Sequence, residues 1–190
     1  MKHRAAFVAA VVIASMASMG CSSYKESSGD PDAAAAHEAG MNARVQETIT
    51  AFRTADPSLS GFFDNAYGYA VFPKIAKGGA GLGGAHGEGL VYERGAVIGN
   101  TSMSQATIGL QLGGQTLREI IFFQNAQKLD DFKNGKVELS AQASAVAAKD
   151  GAAGSTDYTE GVAVFVLPIK GLMGEASVGG QKFEYSPISR

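Results

Sequence analysis

The sequence predicts an α+β domain: a strongly curled antiparallel β-barrel or sandwich with two N-terminal helices and one inserted helix packed on it. Three observations carry this. Apolar residues between positions 41 and 52 recur at helical steps, the periodicity falls to two after Tyr67, and glycine, 25 residues in all, is frequent inside the strand runs as well as between them. Glycine within a strand marks a bulge, a sharp bend or a close backbone approach, so a curled sheet follows.

The first helix is expected over 33–55. Asp30-Pro31 supplies an N-cap residue followed by proline at the first helical position. Met41, Val45, Ile49 and Phe52 then fall on one side. The same cap recurs at Asp56-Pro57 and opens a short second helix whose Leu59, Phe62, Phe63 and Ala66 share a face.

Strands follow. Tyr69–Phe72 is a strand run that leads through the glycine-rich stretch Gly78–Gly89 to Leu90-Val91-Tyr92 and a turn at Glu93-Arg94-Gly95. Residues 105–112 and 137–145 alternate apolar and polar, as half-buried antiparallel strands do. Between them Leu117–Phe123 reads as a more apolar strand. Asn125–Phe132 reads as a helix with Ala126, Leu129 and Phe132 at helical steps, and Asn134-Gly135 as a turn. Val162–Leu167 is apolar on both faces and is expected to be central.

One pattern occurs twice. Gly68-x-Ala70-Val71-Phe72-x4-Lys77-Gly78-x2-Gly81 returns 93 positions later as Gly161-x-Ala163-Val164-Phe165-x4-Lys170-Gly171-x2-Gly174, and Leu90 and Tyr92 correspond to Phe183 and Tyr185. Two related β-units packed around a pseudo-twofold axis are therefore expected; two copies are too few for a solenoid.

The N-terminus predicts export. Lys2, His3 and Arg4 precede an uncharged run, Ala5–Ala14, that is too short for a membrane anchor, and small residues follow, as in a signal peptide over 1–20. Ser18-Met19-Gly20-Cys21 is close to a lipobox, so Cys21 is the expected site of a covalent lipid anchor, and Ser22 after it favours the periplasmic face of the outer membrane. Residues 21–32 read as a flexible tether and 33–190 as a single domain. Cys21 is the sole cysteine, so the domain must be held by its core without an internal disulfide.

Charge and motifs narrow the function. Removing residues 1–20 takes two of the 16 basic residues and none of the 18 acidic ones, which leaves a balance of −4 and argues against nucleic acid as a partner. Gly79–Gly84 satisfies G-x-G-x-x-G but runs into strand-like sequence, with no helix to offer a dipole to a pyrophosphate. These are expected to be sheet glycines. His86-Gly87-Glu88 resembles the H-x-E of zinc deaminases without their two cysteines, and no G-x-S-x-G elbow accompanies it, so His86 is expected to be a surface loop histidine. No catalytic residue, metal site or cofactor is expected.

What remains is a pair of segments, 73–78 and 167–173, that mix lysine with apolar residues after a strand. Lys74, Lys77 and Lys170 suit lipid phosphates, and Ile75, Ile169, Leu172 and Met173 suit insertion among acyl chains. The competing reading is that the lysines point to water and the apolar side chains return to the core.

Gly68-Tyr69-Ala70-Val71-Phe72-Pro73-Lys74, the Gly78–Gly89 run, Gly109-x-Gln111-x-Gly113-Gly114-Gln115 and the closing Gly161–Gly180 segment together resemble the SYLF domain over roughly residues 45–185. The resemblance implies a domain that binds phosphoinositides and membrane lipid, and in eukaryotic relatives also actin filaments. In those relatives the lipid site combines an N-terminal amphipathic helix with basic residues; the corresponding helix here offers Arg44 and Arg53. The expected function is a non-enzymatic, phospholipid-binding module of a cell-envelope lipoprotein. The alternative is a structural lipoprotein that binds another envelope protein, including an actin-type partner by analogy.

Overall fold

The structure, a computed structural model, describes residues 31–137, 145–170 and 180–188. The expected signal segment, residues 21–30 of the expected tether with Cys21, Leu172, Met173 and most of the strand expected at 137–145 lie outside them, while the last two residues of that expected tether, 31 and 32, open a helix. Helix α1 spans Pro31–Ala55; a 3-10 turn at Pro57–Leu59 leads into α2, Ser60–Asn65. Strands β1 (Gly68–Glu93) and β2 (Ala96–Phe123) form one long hairpin, followed by α3 (Ala126–Lys133), β3 (Val146–Ala147), β4 (Val162–Lys170) and β5 (Gln181–Pro187).

The hairpin turn is Arg94-Gly95, both at positive φ (48° and 81°), which matches the right-handed twist of the strands it joins. A flat strand of 26 residues would extend about 85 Å. This one does not. The amide of Arg94 at the tip donates to the carbonyl of Tyr67 at the base (3.0 Å), so the ribbon is bent double. The bend falls in the glycine-rich stretch, where the β1–β2 register shifts between Gly79 and Gly81. Close approach dictates glycine at two places: a Cβ on Gly89 would collide with the carbonyl oxygen of Val71, and one on Gly68 would lie 2.5 Å from that of Tyr92.

β2 is the central strand. β1 pairs with it along its whole length on one side, while β4 pairs with residues 116–123 and β5 with residues 99–105 on the other. The two echo copies therefore flank the same strand instead of packing against each other around a pseudo-twofold axis. Their registers differ by one residue, Ala70 facing Ile121 and Ala163 facing Phe122. Because side chains alternate, that slip sends equivalent residues to opposite faces. Phe72 belongs to the inner cluster and Phe165 to the outer one.

The inner cluster fills the space between the two leaves of the bent ribbon. Phe72 of the proximal leaf meets Phe183 of the distal leaf (ring centroids 5.9 Å), and Phe132 of α3 sits between Phe123 and Phe183, 4.9 Å from each. On the outer face α1, the 3-10 turn and α2 cover Val71, Ile120, Phe122 and Phe165 with Met41, Val45, Phe52, Leu59 and Phe62. The side of α1 that is buried runs Met41, Val45, Thr48, Phe52, with Ile49 half-buried beside it.

Asp56 joins the helices to the segment before β4. Its buried carboxylate accepts from the Ser58 amide (3.0 Å) and hydroxyl, as the expected cap does, and also from the amides of Ala153 (2.7 Å) and Gly151 (3.2 Å). Burial pushes its pKa up; the hydrogen bonds from Ser58, Ala153 and Gly151 outweigh that and leave it below the ordinary value.

Two fold expectations are corrected. The strand order is β1-β2-β4-β3 with β5 on β2, and no ladder among the described strands joins the outer edges, so the sheet is an open, sandwich-like one rather than a closed barrel. β3 pairs with β4 in parallel, which makes the sheet mixed. β4 lies between β2 and β3, as its two apolar faces require.

Candidate functional site

The distal leaf leaves its outer face open. Strand alternation sets Thr101, Met103 and Phe183 inward and Asn100, Ser102, Ser104, Lys182, Glu184 and Ser186 outward. Register then aligns the outward residues in rows across three strands: His86, Ser104 and Lys182 form one, and Glu88, Ser102 and Glu184 the next. His86 is thus exposed on a strand, not in a loop as expected. Gly79–Gly84 likewise lies within β1, with no helix after it.

The first half of α1 overhangs this face. Its C-terminal half is seated in the core and pinned by the Gln46 amide donating to the Tyr92 hydroxyl (3.1 Å), while residues 32–39 are exposed. Between overhang and sheet runs a groove of about 640 Å³ lined by His37, Glu38, Met41, Glu88, Ser102 and Glu184. A second groove of about 540 Å³ shares Met41 and Glu88 with the first, and is lined by Arg44, Lys74 and His86. Two elements thus bring basic groups together: α1, and β1 through both its bulge between Phe72 and Ile75 and its returning half.

The lysine-bearing segments divide between faces. Lys74 is exposed and reaches this groove beside Arg44. Lys77 faces Gln115 across the ladder and turns into the space between the leaves, half-buried; burial lowers its pKa and the attraction of Glu119 opposes that. Lys170, its echo equivalent, faces Thr116 and is exposed on the opposite side. The expected joint surface of Lys74, Lys77 and Lys170 is therefore not assembled in this conformation.

Ile75 is fully buried against the inner cluster, in the core rather than on a lipid-facing surface. Ile169, 40% exposed, is the large apolar side chain left open among the described residues. Arg53 stacks over Phe63 at 4.5 Å, away from the groove.

Inside the leaves lies a polar pair the sequence did not suggest. Glu119 of β2 is fully buried and its Oε2 accepts from the Gln181 amide of β5 (3.1 Å), while its Oε1 has no hydrogen-bond partner among the described residues. Burial pushes the Glu119 carboxyl up to about 7, with the Gln181 hydrogen bond and Lys77 acting the other way.

Sequence reasoning missed the carboxylates of the groove. His86 was expected in a loop, so the strand face it shares with Glu88 was missed, and Glu184 joins them only through the β2–β5 register. Among the described residues no group of His, Cys, Asp and Glu is placed to hold a metal ion, and no helix is long and apolar enough to cross a membrane.

Residues 104–186 match the family model described as Ysc84, Las17-binding protein actin regulator. The matched segment takes in the proximal half of β2, β4 and β5, so Arg44, Lys74 and His86 enter the groove from outside it. Over 145 residues the chain is 28% identical to Beta cell expansion factor A of Aeromonas veronii, a match that covers 75% of this chain and 55% of that protein. The chain thus spans about half the length of this curated relative.

Proposed function

We propose, from the premise that residues 104–186 belong to the Ysc84 (SYLF) family, that this protein is a non-enzymatic lipid-binding module of a cell envelope, held at the membrane by a lipid on Cys21 and engaging phospholipid through α1 and the groove beneath it. One observation carries the reading: Arg44 of α1 and Lys74 and His86 from the two halves of β1 converge on a groove whose remaining walls include Met41, Pro73 and Ala76. Two converging cations and an imidazole beside apolar side chains are what a phosphate attached to acyl chains requires. Ile169 and Lys170, exposed together at the end of β4, offer a second such contact.

Vesicle flotation tests it. The protein should float with phospholipid vesicles, and Arg44→Glu with Lys74→Glu should reduce binding about tenfold, since two modest surface interactions are replaced by repulsion. Undiminished binding by that double variant would remove the groove from the reading. Labelling cells with a palmitate analogue tests the anchor, and Cys21→Ser should abolish the label.

The family description supports a second reading, in which the module binds a protein of the actin-regulating kind. Cross-linking in intact cells separates the two: a single dominant protein adduct in a chain without vesicle affinity favours the second.

A further inference from the structure

The two grooves that meet at Met41 and Glu88 carry opposite charge. On one side stand Arg44, Lys74 and His86, and on the other Glu38, Glu88 and Glu184. None of these three carboxylates takes part in an ion pair among the described residues. On the sheet the two poles are successive rows, roughly 7 Å apart as i and i+2 positions of a strand must be, with Ser104 and Ser102 between the flanking charges. A simple anion would satisfy the basic pole and be repelled by the acidic one.

We propose that this bipolar groove binds the phosphoethanolamine headgroup of a zwitterionic phospholipid, its phosphate at Arg44, Lys74 and His86 and its primary ammonium at Glu88, Glu184 and Glu38. The inference rests on the lipid-binding reading above and adds the headgroup class. An ethylene linker joins the two charges of this headgroup, so it spans adjacent poles without leaving either unpaired.

The acidic pole selects the amine. A primary ammonium has three N–H donors, and the groove offers carboxylates, the Ser102 hydroxyl and the Asn100 side chain as acceptors. A quaternary ammonium has no N–H and is held by the faces of Trp, Tyr or Phe, and neither groove has one of these in its lining. Phosphoethanolamine is therefore preferred over phosphocholine, and both over phosphoglycerol. Exposed charges each contribute little, so selectivity is about tenfold and is amplified by the membrane anchor.

The test is flotation of the purified protein on three kinds of vesicle: phosphatidylcholine alone, and phosphatidylcholine mixed equally with phosphatidylethanolamine or with phosphatidylglycerol. In parallel, amide shifts of His86 and Ser102 are followed by NMR on adding glycerophosphoethanolamine or glycerophosphocholine. Binding should be strongest to the ethanolamine mixture. Glu88→Gln with Glu184→Gln, both exposed, should lower it about tenfold while leaving or raising binding to the glycerol mixture, with melting unchanged. Glycerophosphoethanolamine should shift both amides more than the choline compound does. Preference for phosphatidylglycerol, or a Gln pair with unaltered selectivity, overturns the headgroup assignment and leaves the lipid reading standing. Shifts with the soluble headgroup but no flotation would uphold the site and remove the membrane reading. Neither response would overturn both.

Discussion

Glu119 of β2 and Gln181 of β5, 62 residues apart in sequence, meet at 3.1 Å across the interior of the bent ribbon and tie the proximal leaf to the distal one. The contact is polar within a space whose apolar lining includes Phe72, Leu117, Met103 and Phe183. Its strength therefore depends on the charge of Glu119.

Burial raises the folded-state pKa of Glu119 from 4.5 to about 7. The folded protein thus holds this proton more tightly than the unfolded chain, and the stabilisation is complete below 4.5 and lost as pH rises to about 7, on the order of 3 kcal/mol. Melting temperature should fall across that interval. Glu119→Gln keeps the neutral form at every pH, so it should flatten the profile and stabilise the protein at pH 8. A wild-type melting temperature that climbs between pH 5 and 8 would contradict this.

Asp56→Ala removes a helix cap and leaves the buried amide of Ala153 without its acceptor. Loss of the cap costs about 1 kcal/mol and an orphaned buried amide about 1–3 more, so urea unfolding should show a loss of about 2–4 kcal/mol. Because the folded pKa of Asp56 lies below 3.8, its stabilisation is present above that value and disappears as pH falls through the folded pKa. The variant should accordingly show a weaker acid transition than the wild type.

Gly89→Ala should destabilise by about 1–3 kcal/mol or more, because the new methyl group meets the carbonyl of Val71 and the two halves of β1 must part. Gly61→Ala is the control. It sits in α2 with nothing within 4 Å of an added Cβ, and should stabilise by about 0.5–1 kcal/mol. Equal melting temperatures for the two variants would deny the close packing of β1 on itself.

Phe132→Ala empties the position between Phe123 and Phe183 and should cost about 3–5 kcal/mol. Since the ring touches both leaves, amide exchange should accelerate in β5 as well as in α3. Acceleration confined to α3 would mean that the helix does not hold the leaves together.

The helices were legible because their causes are local. Asp56-Pro57 announces a cap within a few residues of the groups it caps, Ala126, Leu129 and Phe132 announce α3 by their spacing, and Met41, Val45 and Phe52 announce a buried side. Parts of β1 and β4 were legible for the same reason, as the short apolar runs Tyr69–Phe72 and Val162–Leu167. Lys77 and Ile75 were not, because a bulge between Phe72 and Ile75 sets their face, and a bulge leaves no unique mark in composition.

The sequence by itself determined the three helices and the strand runs at 69–72, 117–123 and 162–167, where the ribbon turns at Arg94-Gly95, and that one β-pattern occurs twice, since each depends on side chains a few positions apart. Only the tertiary structure decided that the two patterns flank one central strand one residue out of step, that the ribbon folds back so that Gly89 meets Val71, and that Glu184 stands in a row with Glu88. Those relations rest on register and on contacts between residues far apart in the chain, and a slip of one position, invisible to local pattern, exchanges the buried face for the exposed one.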